Sequence, residues 1–186
     1  IYEPMRIYFL DRNGHERSLH KAATGMGGIT EFNYGYMTES FLHVRGTTFN
    51  YPTGDAQLAL ELVKEIYAPN GNGGQNALLY RYGSAQLNRT GRGFAGFREL
   101  RRESNAQNRK WIDRSELQTT FAELHPQAAE TYLLQAPGTL VAKTEWAYSS
   151  IGLGAAGLRR HQVRLDSETS TDMLAGTTSS TTNTAW

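Results

Sequence analysis

The chain contains no cysteine, and this absence excludes both a disulfide scaffold and a metal site built on thiolates. Its 19 basic and 18 acidic residues nearly cancel, so a net charge of +1 gives no electrostatic case for binding nucleic acid or an anionic membrane surface. No apolar run reaches the length of about 18 residues that a membrane-spanning helix needs. The sequence therefore predicts neither a nucleic-acid partner nor a membrane span.

Proline is scarce as well, with 5 residues, whereas glycine and tyrosine are abundant, with 19 and 10 residues. Many glycines and aromatics with few prolines are typical of proteins built from short strands and tight turns. We therefore predict an all-β fold with at most one or two short helices.

The two ends of the sequence lack the usual marks of a complete polypeptide. The chain begins with Ile1 rather than Met, without an apolar signal segment, and it ends at Trp186 directly after a Thr-rich stretch. We interpret residues 1–186 as a single segment excised from a longer polypeptide. A processed mature protein is the alternative.

Glycine-containing turns between strand-forming segments predict successive antiparallel hairpins. Asn13-Gly14 suits the tight turn of a hairpin over residues 5–20, and the polar, Gly-rich residues 68–76 suit the tip of a second. Pro137-Gly138 favours a type II turn in a third hairpin, over residues 130–148. Further strands are predicted at residues 29–34, 41–49, 111–121 and 158–166, with turns or loops at 51–54, 101–108 and 149–157.

Three segments allow two interpretations. Residues 55–67 carry apolar side chains at both helical and strand spacing, and strand is favoured because every neighbouring segment is β-like. Residues 115–118, inside the predicted strand 111–121, also fit the start of a helix. Residues 167–186 are rich in Ser and Thr, which is typical of a linker, but β-branched Thr suits a pleated surface. A hairpin, or a frayed end, is the prediction for this last segment.

An aromatic-x-aromatic pattern recurs on three of the predicted strands. It is found at Phe32-Asn33-Tyr34, Tyr80-Arg81-Tyr82 and Trp146-Ala147-Tyr148, each followed by a Gly-containing turn. The spacing between the three is irregular, which argues against a solenoid of fixed period. The pattern indicates stacked hairpins joined by loops of variable length.

The most specific stretch is residues 77–100, ALLYRYGSAQLNRTGRGFAGFREL. Glycine lacks a Cβ and lets neighbouring strands or turns approach closely, while Phe94 and Phe97 supply apolar area. We predict that Arg92 stacks on or bonds near Tyr80 or Tyr82. Eight residues form the structural motif of this stretch: Tyr80, Tyr82, Gly91, Arg92, Gly93, Phe94, Gly96 and Phe97.

This motif resembles the RHS/YD-repeat toxin shell proteins, in particular the B-component type of insecticidal toxin complexes and the related virulence-plasmid toxins. The resemblance is strongest over residues 67–102 and extends over residues 5–186. The segment 121–129 departs from it, because Leu124-His125-Pro126 stands where the family often has an Asp-Phe-Pro-like turn.

The resemblance implies a fold and a role. The fold is a run of antiparallel hairpins in a hollow β-shell, and the role is a structural one without catalysis, in a secreted bacterial toxin protein that is cytoplasmic before release. The implied partners are the rest of the parent shell, the toxin domain that it encloses, and other toxin-complex subunits. The Tyr-rich composition supports an alternative, a module that binds carbohydrate or a surface receptor.

No set of residues in the sequence predicts catalysis, a cofactor or a metal. Residues 71–74 lack the Lys-Ser/Thr of a phosphate loop, and the Gly-x-Gly-x-x-Gly string that starts at Gly91 has no helix signal after it. The five histidines lack ligand-like spacing. A basic cluster, interrupted by Glu99 and Glu103, fits either a phosphate or acidic partner or, by preference, a solvated turn. Its members are Arg89, Arg92, Arg98, Arg101 and Arg102.

Overall fold

A computed structural model describes residues 6–8, 18–47, 49–118, 123–152 and 161–182. The described residues form strands and turns and no helix, which confirms the all-β prediction. The strands, numbered in chain order, are β1 Arg6–Tyr8, β2 Lys21–Ala23, β3 Ile29–Tyr36, β4 His43–Val44, β5 Phe49–Asn50, β6 Thr53–Asp55, β7 Glu61–Pro69, β8 Gln75–Asn88, β9 Gly93–Ser104, β10 Arg109–Gln118, β11 Glu123–Leu133, β12 Leu140–Gly152, β13 His161–Asp172 and β14 Thr177–Thr182.

All of these strands belong to one open sheet that follows the chain. The order across the sheet is β1-β2-β3-β7-β8-β9-β10-β11-β12-β13-β14, and each neighbouring pair on this path is antiparallel. The short strands β4, β5 and β6 lie off the path, and β4 pairs with β8 in the parallel sense. The architecture is therefore a meander of hairpins, interrupted once between β3 and β7.

The hairpins with the clearest turn chemistry form as predicted. In the β7–β8 turn, the side-chain oxygen of Asn70 accepts the backbone N–H groups of Asn72 and Gly74, at 2.9 and 3.0 Å. Gly71 and Gly73 both adopt a φ of +80°, a conformation that costs glycine little. The β11–β12 turn likewise places Gly138 at a φ of +89°. Local turn chemistry accounts for both connections.

The Thr-rich C-terminal segment is a hairpin in its described part. Strand β13 pairs with β14 from Ser167 opposite Thr182 to Asp172 opposite Thr177. The carboxylate of Asp172 accepts the backbone N–H groups of Leu174 and Ala175 and so closes the turn. The hairpin prediction is confirmed, and residues 183–186 lie outside the described residues.

Of the two helix-or-strand ambiguities, residues 115–118 resolve to strand, and residues 55–67 do so except for residues 56–60, which form no strand. Residues 61–67 belong to β7, which pairs with β3 on one edge and with β8 on the other. Residues 115–118 belong to β10, which pairs with β11. Pairing with neighbouring strands outweighs local helix propensity in these segments. The three aromatic-x-aromatic segments also lie on strands, namely β3, β8 and β12.

Other segment predictions were wrong in part. The strand predicted at 41–49 reduces to the two-residue strands β4 and β5, because the chain turns at Leu42, whose N–H donates to the carbonyl of Glu39. The turn predicted at 101–108 begins only after Ser104, and residues 149–152 of the predicted loop extend β12. Strand β1 pairs with β2, and the Asn13-Gly14 turn lies outside the described residues.

The small core lies where residues 37–60 fold against β8. One edge of β8 is occupied in turn by β7, β4 and β6, while β9 occupies the other edge. Met37, Leu42 and Ala85 are essentially inaccessible to solvent. The backbone N–H of Tyr82 donates to Leu42, and that of Ala56 donates to Ala85. This segment therefore fixes the middle of β8, where the sequence motif lies.

Candidate functional site

The motif residues form the hairpin β8–β9. Tyr80 and Tyr82 lie on β8 opposite Arg102 and Leu100, and Ala85 lies opposite Phe97. Residues 89–92 make the turn, and β9 begins at Gly93. A register shift between Gln86 and Leu87 marks an irregularity close to Gly96. The residues predicted as one motif are thus parts of one continuous hairpin.

The motif glycines serve the backbone conformation rather than close packing. Gly91, Gly93 and Gly96 have φ angles of +102°, +77° and +120°. A Cβ built on Gly91 or Gly93 meets no atom within 4 Å, and one on Gly96 makes an ordinary contact of 3.4 Å with Leu124 Cδ1. The predicted role in close approach was therefore wrong for these positions. Glycine is needed because L-residues with side chains rarely adopt such φ angles.

Phe97 is the centre of an aromatic cluster. Its ring centroid lies 4.8 Å from that of Tyr82, 5.3 Å from that of Phe94 and 5.9 Å from that of His43. The contacts with Phe94 and His43 are edge-to-face, a geometry that aromatic quadrupoles favour. Tyr82, Phe94 and Phe97 were predicted as motif residues, whereas His43 was not. The cluster joins β4, β8 and β9.

Tyr82 is a structural tyrosine rather than an acid or base. Its hydroxyl donates to the carbonyl of Val63 at 2.9 Å. Burial, assisted by the nearby Tyr80, raises the pKa of Tyr82 to about 12. The phenol therefore stays protonated at physiological pH and links β8 to β7.

Arg92 lies far from the tyrosines with which it was predicted to interact. Arg92 immediately precedes Gly93, which pairs with Asn88 of β8. Tyr82 lies six residues before Asn88 on the same strand. At about 3.3 Å per residue, these positions are roughly 20 Å apart along the strand, beyond the reach of an arginine side chain. The register thus argues against the predicted stacking and places Arg92 in the exposed turn.

The basic cluster predicted from the sequence is divided by the fold. Arg89 and Arg92 lie in the β8–β9 turn, whereas the other three arginines lie on β9. Arg101 Nε is 2.5 Å from Glu99 Oε1, and Arg102 Nη2 is 2.7 Å from Asp113 Oδ2. Successive residues of a strand point to opposite faces, so these two ion pairs lie on opposite sides of the sheet. The exposed turn is formed for Arg89 and Arg92 alone, and the five arginines do not share a single surface.

His43 is the member of the cluster whose pKa is lowered from its ordinary value. Burial lowers the pKa of His43, and this effect outweighs the opposing influences of Asp55 and of a hydrogen bond to the backbone of Met37. Its Nε2 is buried and has no hydrogen-bond partner among the described residues. The neutral imidazole is thus the form that the fold favours.

We expect acid to weaken the packing of β4 on β8. Because the folded pKa of His43 lies below its ordinary value of 6.5, the folded state binds fewer protons, and stability is full above pH 6.5 and falls as the pH drops below it. The slope for one proton is at most about 1.4 kcal/mol per pH unit. Hydrogen exchange of β8 peptides at pH 7.5 and 5.5, corrected for intrinsic rates, measures this loss.

His43→Asn is the matched variant, since the amide nitrogen can replace Nδ1 toward Met37 but does not titrate. Its β8 exchange should be less dependent on pH than that of the wild type. An equal pH dependence in the two proteins would show that His43 is not the group responsible.

Within the described residues, no group of three or more His, Asp or Glu side chains is arranged to hold a metal ion. They also contain no helix that is long and apolar enough to cross a membrane. What the motif builds is a rigid aromatic junction between strands.

No protein-family model matches the chain, and a search of curated proteins finds no significant match.

Proposed function

We propose that this chain is a non-catalytic wall segment of a secreted bacterial RHS-type toxin protein, where it helps to form the hollow β-shell around a toxic cargo domain. Two features support the proposal. The motif that resembles the family occupies a single hairpin, β8–β9, and that hairpin lies within a continuous meander of further hairpins.

The observation that carries the proposal is the partial burial of both faces of the sheet. Every residue of β7 from Glu61 to Ala68 is half-buried, and so is nearly every residue of β9. In a sandwich with one solvated face, buried and exposed residues would alternate along each strand. Uniform half-burial instead suits a single-layer wall whose two faces are alike in burial.

The open edges of the sheet support the same role. Strands β1 and β14 are the ends of the order, so each has only one neighbour among the described strands. Unpaired strand edges tend to pair with other chains unless they are protected. In the proposed shell, adjoining hairpins of the parent polypeptide cover these edges.

We therefore expect residues 1–186, expressed alone, to associate or precipitate. Every residue of β14 is exposed, and the strand offers an edge for such pairing. Sedimentation velocity over a range of concentrations measures the association. A monomer that melts cooperatively would contradict the need for flanking strands.

Cryo-electron microscopy of the full natural polypeptide tests the shell itself. We expect residues 1–182 to form a curved wall with an enclosed density on one side. A solid globular domain at this position would exclude the shell. Pull-down of the full polypeptide from secreted material would then address the other proposed partners, the further toxin-complex subunits.

A carbohydrate- or receptor-binding module remains a second candidate because of one cleft. A cavity of about 250 Å³ between β10, β11 and β12 is lined by Trp146, Tyr148 and His125, together with Glu116 and Gln127. The rings of His125 and Tyr148 lie 5.4 Å apart. Aromatic faces beside amide and carboxylate groups can hold a sugar ring. A glycan array separates the two candidates. A binding module should bind a glycan and lose that binding in Trp146→Ala, whereas a wall segment should show no such binding.

A further inference from the structure

A second cavity, of about 360 Å³, opens beside the middle of β8. Four arginines line it: Arg45, which follows β4, Arg98 and Arg101 of β9, and Arg114 of β10. They come from three separate parts of the chain. The four arginines therefore do not meet merely because they are close in sequence. Only Arg98 and Arg101 also belong to the basic cluster predicted from the sequence.

Glu99 holds two of these arginines in place. Its Oε1 is 2.5 Å from Arg101 Nε, and its Oε2 is 2.6 Å from Arg114 Nη1. The carboxylate is mostly buried, with 19% of its side chain exposed. Because a guanidinium has five N–H donors, each arginine keeps donors beyond the one that Glu99 accepts. The two guanidinium groups are thus fixed and still able to bind.

The other two arginines are less completely neutralised. Arg45 Nε lies 3.6 Å from Asp55 Oδ2, and the Arg45 side chain is 66% exposed. Arg98 makes no ion pair or hydrogen bond through its side chain within the described part of the chain. Three carboxylates lie beside these arginines, namely Glu99, Asp55 and Glu130, and Glu130 is 3.4 Å from Arg114. Because the arginines number four, the cavity still carries a positive charge.

The backbone around the cavity is shaped to leave this space. Gly46 and Gly83 line it without side chains, and Ser84 adopts a φ of +51°. Ser84 Oγ donates to Asp55 Oδ1 at 3.0 Å. A Cβ on Gly83 would lie 3.2 Å from Glu99 Cβ, so a larger residue there would disturb the carboxylate. A left-handed serine within a strand is uncommon and is typical of functional sites.

We propose that this cavity binds a tetrahedral oxyanion, a phosphate or sulfate group carried by a small molecule. Arginine is the residue that binds such groups in bidentate geometry, and prior fixation by Glu99 reduces the entropy lost on binding. The volume lies at the lower end of the range of small-molecule sites, about 300–1,000 Å³. The site does not depend on the proposed shell.

Isothermal titration calorimetry on the full natural polypeptide tests the site, at constant ionic strength in a buffer without phosphate. The probes are inorganic phosphate, inorganic sulfate, glucose 6-phosphate and glucose. We expect saturable binding of the first three and no binding of glucose. Tighter binding of glucose 6-phosphate than of phosphate would assign the site to an ester, and the reverse order would assign it to the free anion.

Arg98→Ala is the test variant, because Arg98 has no ion-pair partner in the described residues to leave uncompensated. We expect at least fivefold weaker phosphate binding, with partial recovery in Arg98→Lys. Arg89→Ala removes the same charge from the exposed β8–β9 turn and should bind as the wild type does. Circular dichroism confirms that each variant is folded.

Two results would overturn the proposal. One is the absence of saturable phosphate or sulfate binding in the wild-type protein. The other is equal weakening in Arg98→Ala and Arg89→Ala, which would show a general charge effect rather than a site. Hydrogen exchange gives a second readout, since phosphate should protect peptides from Arg98 to Arg101 and leave those of β13 unchanged.

Discussion

Phe97→Ala should lower the free energy of opening of the β8–β9 hairpin by about 2–3 kcal/mol. Truncation of a fully buried phenylalanine costs about 3–5 kcal/mol, and Phe97 is half-buried. The loss includes its ring contacts with Tyr82, Phe94 and His43, which connect β4, β8 and β9. Hydrogen exchange followed by mass spectrometry measures the effect on β8 and β9 peptides within the full polypeptide.

Phe94→Ala provides the matched control, since it removes the same atoms three residues away. Phe94 is 40% exposed and touches the cluster through Phe97. Its truncation should cost about 1 kcal/mol or less. Equal losses for the two variants would show that Phe97 is not the centre of the cluster. Loss of protection in β4 should accompany Phe97→Ala alone, because His43 contacts Phe97.

The parts of the fold that local chemistry determines were predictable from the sequence. The turns at residues 70–74 and at Gly138 depend on residues that lie within the turns themselves. The C-terminal hairpin is similar, since Asp172 caps its own turn. In each case, glycine or a short polar side chain provides the backbone geometry that the reversal needs.

The interruption between β3 and β7 was not predictable in this way. Residues 37–47 and 49–60 carry β-forming side chains, but they fold into turns and short strands against one edge of β8. That edge is free only because β7 ends its pairing with β8 at Glu65 opposite Leu79. The position of His43 beside Phe97 follows from this long-range arrangement, which leaves no local signal in the sequence.

The motif region likewise combines features that the local sequence predicts with features that depend on long-range arrangement. Tyr82, Phe94 and Phe97, which the sequence places in one motif, lie on one hairpin, and Phe97 contacts both of the other rings. The sequence could not show that Arg45 and Arg114 meet Arg98 and Arg101, because three segments converge there. The close approach expected of the motif glycines occurs instead at Gly46, which no sequence pattern singles out.

Gly46→Ala should lower the free energy of opening of β6 and the adjoining part of β8 by about 2–3 kcal/mol. A Cβ at this position would overlap Ser84 Oγ and would lie 2.6 Å from Asp55 Oδ1. Asp55 is held by Ser84 and Arg45 and is almost fully buried, so it cannot simply move away. Overpacking of this kind typically costs about 1–3 kcal/mol. Hydrogen exchange of peptides from β6 and from the end of β8 measures the loss.

A double-mutant cycle with Ser84→Gly identifies the cause. Glycine at residue 84 removes the overlapping Oγ and accepts the φ of +51°, although it also removes the hydrogen bond to Asp55. In this background Gly46→Ala should cost about 1 kcal/mol less than in the wild type, a coupling expected of residues in contact. Only partial relief is expected, because the overlap with Asp55 Oδ1 persists. Strictly additive losses for the two substitutions would show that the strain does not lie at Ser84. The tight corner between β4, β6 and β8 would then not be what keeps the arginine-lined cavity open.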